Sequence, residues 1–182
     1  MSAVVEKLLT QLDESRERLL MAIEPLPDLL LIKRGVVGKW SIADILVNLT
    51  VWEAELVTGL MKVERGQKPG RLLDALSDPK TYNQERYNEN QNRDLDLIFN
   101  DLVKVRVELE EWLETFSEKQ LTNKKQYSWL KGRALRDLIA QCSFENEQKY
   151  LPAIEDYVKA WEASMASNVI PLTAVSNVEE SS

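Results

Sequence analysis

Four polar side chains fall where helix periodicity expects apolar ones: Asn48, Glu53, Asn146 and Tyr150. Asn48 lies three residues after Ile45 and four before Trp52, on or beside the stripe that carries both. Glu53 follows Leu49 by four and borders the same face. Asn146 stands four after Cys142 and four before Tyr150, so Asn146 and Tyr150 share one side of a later helix, with Lys149 close by. A buried Asn or Glu costs free energy unless it is hydrogen-bonded. Helix bundles often build their sites from such inward-facing polar groups. Two readings stay open at this point. The four residues line a small-molecule pocket, or they form an internal network that only fixes helix register.

The chemistry available to such a pocket is bounded by what the chain lacks. It has no histidine. Histidine is the usual general base near neutral pH and the commonest metal ligand. Serine or cysteine hydrolases with a His base are therefore excluded, and so are metal sites built on imidazole. Catalysis would have to use carboxylates, tyrosines, lysines, the lone thiol of Cys142, or a metal held by oxygen. Cys142 itself falls on an apolar stripe and reads as a small core residue. There is no Walker loop, no dinucleotide glycine fingerprint and no CxxC.

The elements that must position these residues are helical. Val4, Leu8, Leu9, Leu12, Leu19, Leu20 and Ile23 recur at three- and four-residue steps and predict a helix over 3–24, ended by Pro25 and Pro27. An irregular stretch with Gly35 and Gly38 follows. Ser41 caps a second helix reaching about residue 65, with Asp44 completing a capping box, Trp40 stapled to the first turn and Gly66 closing it. The stretch 67–93 is polar, with a short helix expected over 82–90. A connection of that length is often functional. A third helix is expected over 95–116, capped by Asp94, with Leu97, Ile98, Leu102, Val105, Leu109 and Leu113 as its core face. A fourth is expected over 134–164, kinked at Pro152. The pattern predicts an all-α, antiparallel four-helix bundle occupying residues 1–165, with a long crossover between helices 2 and 3. Residues 166–182 show no periodicity and are expected to form a disordered tail.

Composition fits one domain. The chain has 182 residues, a net charge of −7 and one cysteine. That length supports a core without disulfides or structural metal. The acidic balance and the absence of a basic stripe argue against nucleic-acid partners. No apolar run spans a membrane, and a single cysteine suits a cytoplasmic location.

The segment Trp40-Ser41-Ile42-Ala43-Asp44-Ile45-Leu46-Val47-Asn48-Leu49, continuing to Trp52-Glu53, resembles the helix-2 signature of the DinB-like four-helix bundles. Tyr82-Asn83-Gln84-Glu85-Arg86-Tyr87, Leu113 to Leu121, Cys142-Ser143-Phe144-Glu145-Asn146 and Tyr150-Leu151-Pro152-Ala153-Ile154 are similar to the ClbS/DfsB-like branch. Many members of the superfamily carry a three-His metal site. The resemblance places those ligands at Asn48, Asn146 and Tyr150, so it implies the fold with its metal site lost, and no metal or other cofactor is expected. Side chains of this type make a poor transition-metal site. The resemblance implies a ligand-binding pocket between helices 2 and 4 formed by Asn48, Trp52, Glu53, Tyr82, Asn83, Asn146 and Tyr150. The ClbS branch hydrolyses the electrophilic ring of a reactive genotoxin. That implies Glu53 as base and Tyr150 or Tyr82 as hydrogen-bond donor to a developing anion. Two alternatives remain: a non-catalytic stress-response or interaction protein on a bundle without its metal, and a homodimer, as superfamily members often are.

Overall fold

A computed structural model describes residues 1–168 and contains helices and turns. In chain order these are α1 (Ala3–Ile23), α2 (Asp28–Leu31), α3 (Ile42–Glu64), α4 (Gly70–Ser77), α5 (Pro79–Glu89), α6 (Leu95–Glu114), α7 (Glu118–Thr122), a 3-10 turn (Ser128–Leu130), α8 (Leu135–Cys142) and α9 (Phe144–Ser167). No β-strand forms among the described residues; one isolated bridge joins Val37 to Trp40. The tail expected over 166–182 lies almost wholly outside the described residues, and α9 continues to Ser167.

The helix ends follow from local chemistry. Ser41 accepts from the Asp44 amide at 3.1 Å while Asp44 accepts from the Ser41 amide at 2.8 Å, a reciprocal capping box. At the other end of α3, Gly66 takes φ +73°, and the Gln67 and Gly66 amides donate to the carbonyls of Lys62 and Val63. This Schellman closure needs the left-handed conformation that glycine adopts freely. Asp94 caps α6 through the Asp96 amide.

Trp40, just before the cap, packs against the apolar cluster that holds Ile42 and Ile45 and stacks on Tyr87 and Tyr150, with ring centroids at 5.8 and 6.2 Å. Two local expectations are corrected. Leu97 does not face the core; it is exposed, and Ile98 takes the inward position. The fourth helix, expected to run unbroken over 134–164, is divided at Ser143. There the backbone leaves the helical region (φ −125°, ψ −106°) and the Ser143 hydroxyl donates to the Ile139 carbonyl at 2.6 Å. The helix runs on through Pro152.

Two apolar clusters divide the bundle by height. One gathers the start of α1, the end of α3 and α6, and α8; the other gathers the end of α1, the start of α3 and α6, and α9. Hence α3 and α6 run parallel to each other and antiparallel to α1 and α9. The parallel pair follows from the long crossover between them, which returns the chain to the same end before α6 begins. That crossover is the helical pair α4 and α5, where only one helix was expected. It packs closely on α3 at Gly59, where an added Cβ would lie 2.8 Å from Leu72 Cδ2.

Candidate functional site

Asn83, on α5, hydrogen-bonds the crossover to α3. Asp78 caps the helix and Pro79 begins it, as suits a position whose amide hydrogen would have no partner. This brings Asn83 Oδ1 to 2.8 Å from the Trp52 indole nitrogen and 2.9 Å from Asn48 Nδ2. The Tyr150 hydroxyl in turn donates to Asn48 Oδ1 at 3.4 Å, a long bond. Burial pushes the Tyr150 phenol above its ordinary range. Four of the seven expected pocket residues therefore form one connected network.

That network closes the inner end of the expected pocket. Around Trp40, Asn48, Asn83 and Tyr87 the remaining void is about 10 Å³, room for one water at most. The open space lies on the other side of Asn83. A cleft of about 280 Å³ is lined by Trp52, Leu76, Pro79, Asn83, Gln141, Glu145, Asn146 and Lys149. Asn146 makes no hydrogen bond, and its amide nitrogen is buried without an acceptor. An unmade bond of this kind costs about 1–3 kcal/mol. Asn48 and Tyr150 thus stand behind the cleft, while Trp52, Asn83 and Asn146 line it.

Tyr82 and Glu53 are directed elsewhere. Tyr82 packs against the Trp52 ring at 4.7 Å and donates to Glu55 Oε2 at 3.3 Å. Burial, then the Glu55 carboxylate, raises its phenol above the ordinary value. Glu55 is itself buried and paired with Arg71 at 3.2 Å.

Glu53 is 1% exposed and sits in a buried ion-pair cluster built by all four long helices: Arg16 from α1, Glu53 from α3, Arg106 from α6 and Glu147 from α9. Its carboxylate accepts from Arg16 Nη2 at 3.1 and 3.3 Å, from Arg106 Nε at 3.2 and 3.3 Å, and from Arg106 Nη2 at 2.5 Å. Glu147 Oε1 receives both guanidiniums at 2.7 Å. The remaining arginine nitrogens cap backbone carbonyls, Arg16 on Leu102 and Arg106 on Leu12. Burial would lower the Arg106 guanidinium, but the Glu53 charge and hydrogen bond outweigh it and hold the pKa above its usual value. Glu147 Oε2 alone lacks a partner. Glu147 also lines a polar groove of about 140 Å³ between α1 and α9, where water can serve it.

The other three members of this cluster were missed in the sequence, although the signal was there. Arg16 stands four after Leu12, Arg106 four after Leu102, and Glu147 four before Leu151. These are the spacings that singled out Asn48 and Asn146.

The donor set does not suit a divalent cation. Asn48 spends its carbonyl on the Tyr150 hydroxyl and its nitrogen on Asn83, so its oxygen is already engaged. Amide and phenol groups bind such ions weakly in any case. Among the described residues, no group of three or more His, Cys, Asp or Glu side chains could hold a metal. Also among them, no helix is long and apolar enough to cross a membrane. Cys142 is buried in the core, and burial pushes its thiol up to about 12, which leaves no nucleophile at neutral pH.

Residues 11–151, well over half of the chain, match the family model described as the DinB superfamily. No curated protein and no solved structure matches the chain.

Proposed function

We propose, for a chain that belongs to the DinB superfamily, metal-independent binding of a small molecule in the cleft between α3, the α4–α5 crossover and the α8–α9 arm. The observation that carries this reading is Asn146. A native fold seldom buries an amide donor without a partner, and such an exception calls for an explanation. This one stands at the wall of the largest space near Trp52 and Asn83.

Placement in the ClbS/DfsB-like branch rests on the motifs from Tyr82 to Tyr87, from Leu113 to Leu121 and from Cys142 to Ile154. On that placement, Asn48, Asn146 and Tyr150 occupy the positions of the superfamily's metal-binding histidines. The internal bonding of Asn48 and Tyr150 supports a site that has exchanged metal coordination for a neutral hydrogen-bond network. Hydrolysis with Glu53 as base finds no support in the geometry. Both oxygens of that carboxylate already accept from guanidiniums, so it has no free lone pair directed at the cleft. Binding without a specified reaction is the form of the proposal that the residues favour.

One observation favours a second reading, a non-catalytic stress-response or interaction protein. Asn83 fills the inner end of the site with the protein's own side chain.

A fragment titration followed on the Trp52 indole and the Asn83 and Asn146 side-chain amide resonances separates the two. Saturable shifts confined to these groups support small-molecule binding. A library that moves none of them leaves the interaction reading. Homodimerisation belongs to the same open set, and light scattering measures it.

A further inference from the structure

The polarity of the inner network is fixed by one residue. The Trp52 indole nitrogen can only donate. The Asn83 atom 2.8 Å away must therefore be the oxygen. The Asn48 atom 2.9 Å from the same oxygen must then be its amide nitrogen. This turns the Asn48 carbonyl toward Tyr150, whose hydroxyl donates to it. Every amide orientation in the chain of four follows from the indole, with no choice left.

The consequence falls on Asn83. Its oxygen takes two donors, while its own amide nitrogen makes no hydrogen bond. That nitrogen is also not sealed in the interior, unlike the nitrogen of Asn146. Asn83 lines the cleft, so the network ends there on a spare, pre-oriented donor. Lys149 lines the same cleft, and no carboxylate pairs with it among the described residues. Donors without acceptors at the polar side meet apolar surface from Trp52, Leu76 and Pro79. Glu145 sits one helical turn before Lys149 and would repel a second negative group.

We infer that the cleft takes a small monocarboxylate with an apolar body, its carboxylate oxygens accepting from Asn83 Nδ2 and from Lys149. Such charge-assisted bonds are about twice as strong as neutral ones. The inference rests on the binding reading above and names its ligand class. Asn83 supplies direction, Lys149 supplies charge, and Glu145 sets the limit of one anionic group.

The probes are 3-phenylpropionate, 3-phenylpropanamide and 3-phenylpropylamine, which share one body and differ in the head group. Each is titrated into the full chain with Trp52 and Asn83 side-chain resonances as the readout. The expected result is saturable binding of the carboxylate, at least tenfold tighter than either other probe. Lys149→Gln should weaken the carboxylate severalfold while leaving the melting temperature unchanged, since Lys149 is an exposed side chain. Asn83→Asp, which replaces the spare donor by a negative oxygen, should abolish carboxylate binding. Its circular dichroism spectrum reports whether the fold is retained. Equal or tighter binding of the amine or the amide overturns the carboxylate assignment and leaves the cleft as a binding site. Unchanged carboxylate affinity in Lys149→Gln also overturns it. If no probe of any class moves these resonances, the binding reading falls with it.

Discussion

Two polar regions are buried in this bundle one residue apart in sequence, and they differ in how completely they are satisfied. Glu53 and Glu147 enter the ion-pair cluster, where two guanidiniums face two carboxylates. Their neighbours Trp52 and Asn146 face the cleft, where hydrogen-bond donors are left over. Taking charges out of water costs several kcal/mol per ion, so the cluster persists only because geometry is good and the charges match. One residue from each long helix meets there, which fixes the rotation and height of all four at once. The cleft inherits its shape from that frame. Matched charge marks the structural region, and unmatched hydrogen-bonding capacity marks the region available to a ligand.

The largest expected effect comes from unmatching the cluster. Arg106→Met leaves two buried carboxylates with one guanidinium and should destabilise the fold by about 3–5 kcal/mol in chemical denaturation. Glu53→Gln should likewise lower stability, through the strained pairing of two arginines with one carboxylate. Replacing all four members by apolar residues of similar volume should recover most of that loss. A single variant as stable as the wild type would remove the contrast between the regions.

Gly59 tests the link between frame and cleft. Gly59→Leu forces side-chain atoms into the space of Leu72, which is 1% exposed, and should cost about 1–3 kcal/mol. The displacement should also loosen the Asn83 bridge, seen as a shift of the Trp52 indole resonance. An unmoved indole would mean that α4 and α5 adjust independently.

Removing the unpaired amide should be nearly free. Asn146→Leu deletes a donor that has no partner, so thermal stability should stay within about 0.5 kcal/mol of the wild type or rise. A loss as large as that of Arg106→Met would show that Asn146 has a structural bond.

Cys142 gives an effect that depends on pH. Burial raises its thiol from 9.0 to about 12, so the folded state holds the proton more tightly than the unfolded state. Its contribution is full below pH 9 and is lost as pH rises toward 12. Cys142→Ala should flatten the fall of stability in that window, measured by denaturant unfolding at pH 8 and pH 10.5. The same burial should keep the native thiol unreactive toward disulfide reagents at pH 8.

Much of the fold was legible because periodicity and caps are local. The stripe through Ile45, Leu49, Trp52 and Leu56, the box of Ser41 with Asp44, and Gly66 at the end of α3 all read directly from neighbouring residues. The break at Ser143 was not legible, since proline draws attention to position 152 and the backbone departs from helix where no breaker residue stands. At the site, spacing identified Asn48, Asn146 and Tyr150 as inward-facing. It could not tell that Asn83 would reach across from α5 to close the inner end, because that contact depends on how the crossover lies on α3. Spacing also placed Glu53 inward without its partners. Arg16 and Arg106 occupy core positions of their helices, but a long charged side chain usually snorkels to water, and only the tertiary arrangement shows that these two do not.

The most direct measurement is elemental analysis of the untagged protein purified without chelator. If the proposal holds, Asn48, Asn146 and Tyr150 should carry no stoichiometric transition metal and should gain none on dialysis against zinc. A stoichiometric metal lost on Asn48→Ala or Asn146→Ala would contradict the metal-independent site and require Asn48 and Tyr150 to give up the network that now closes it.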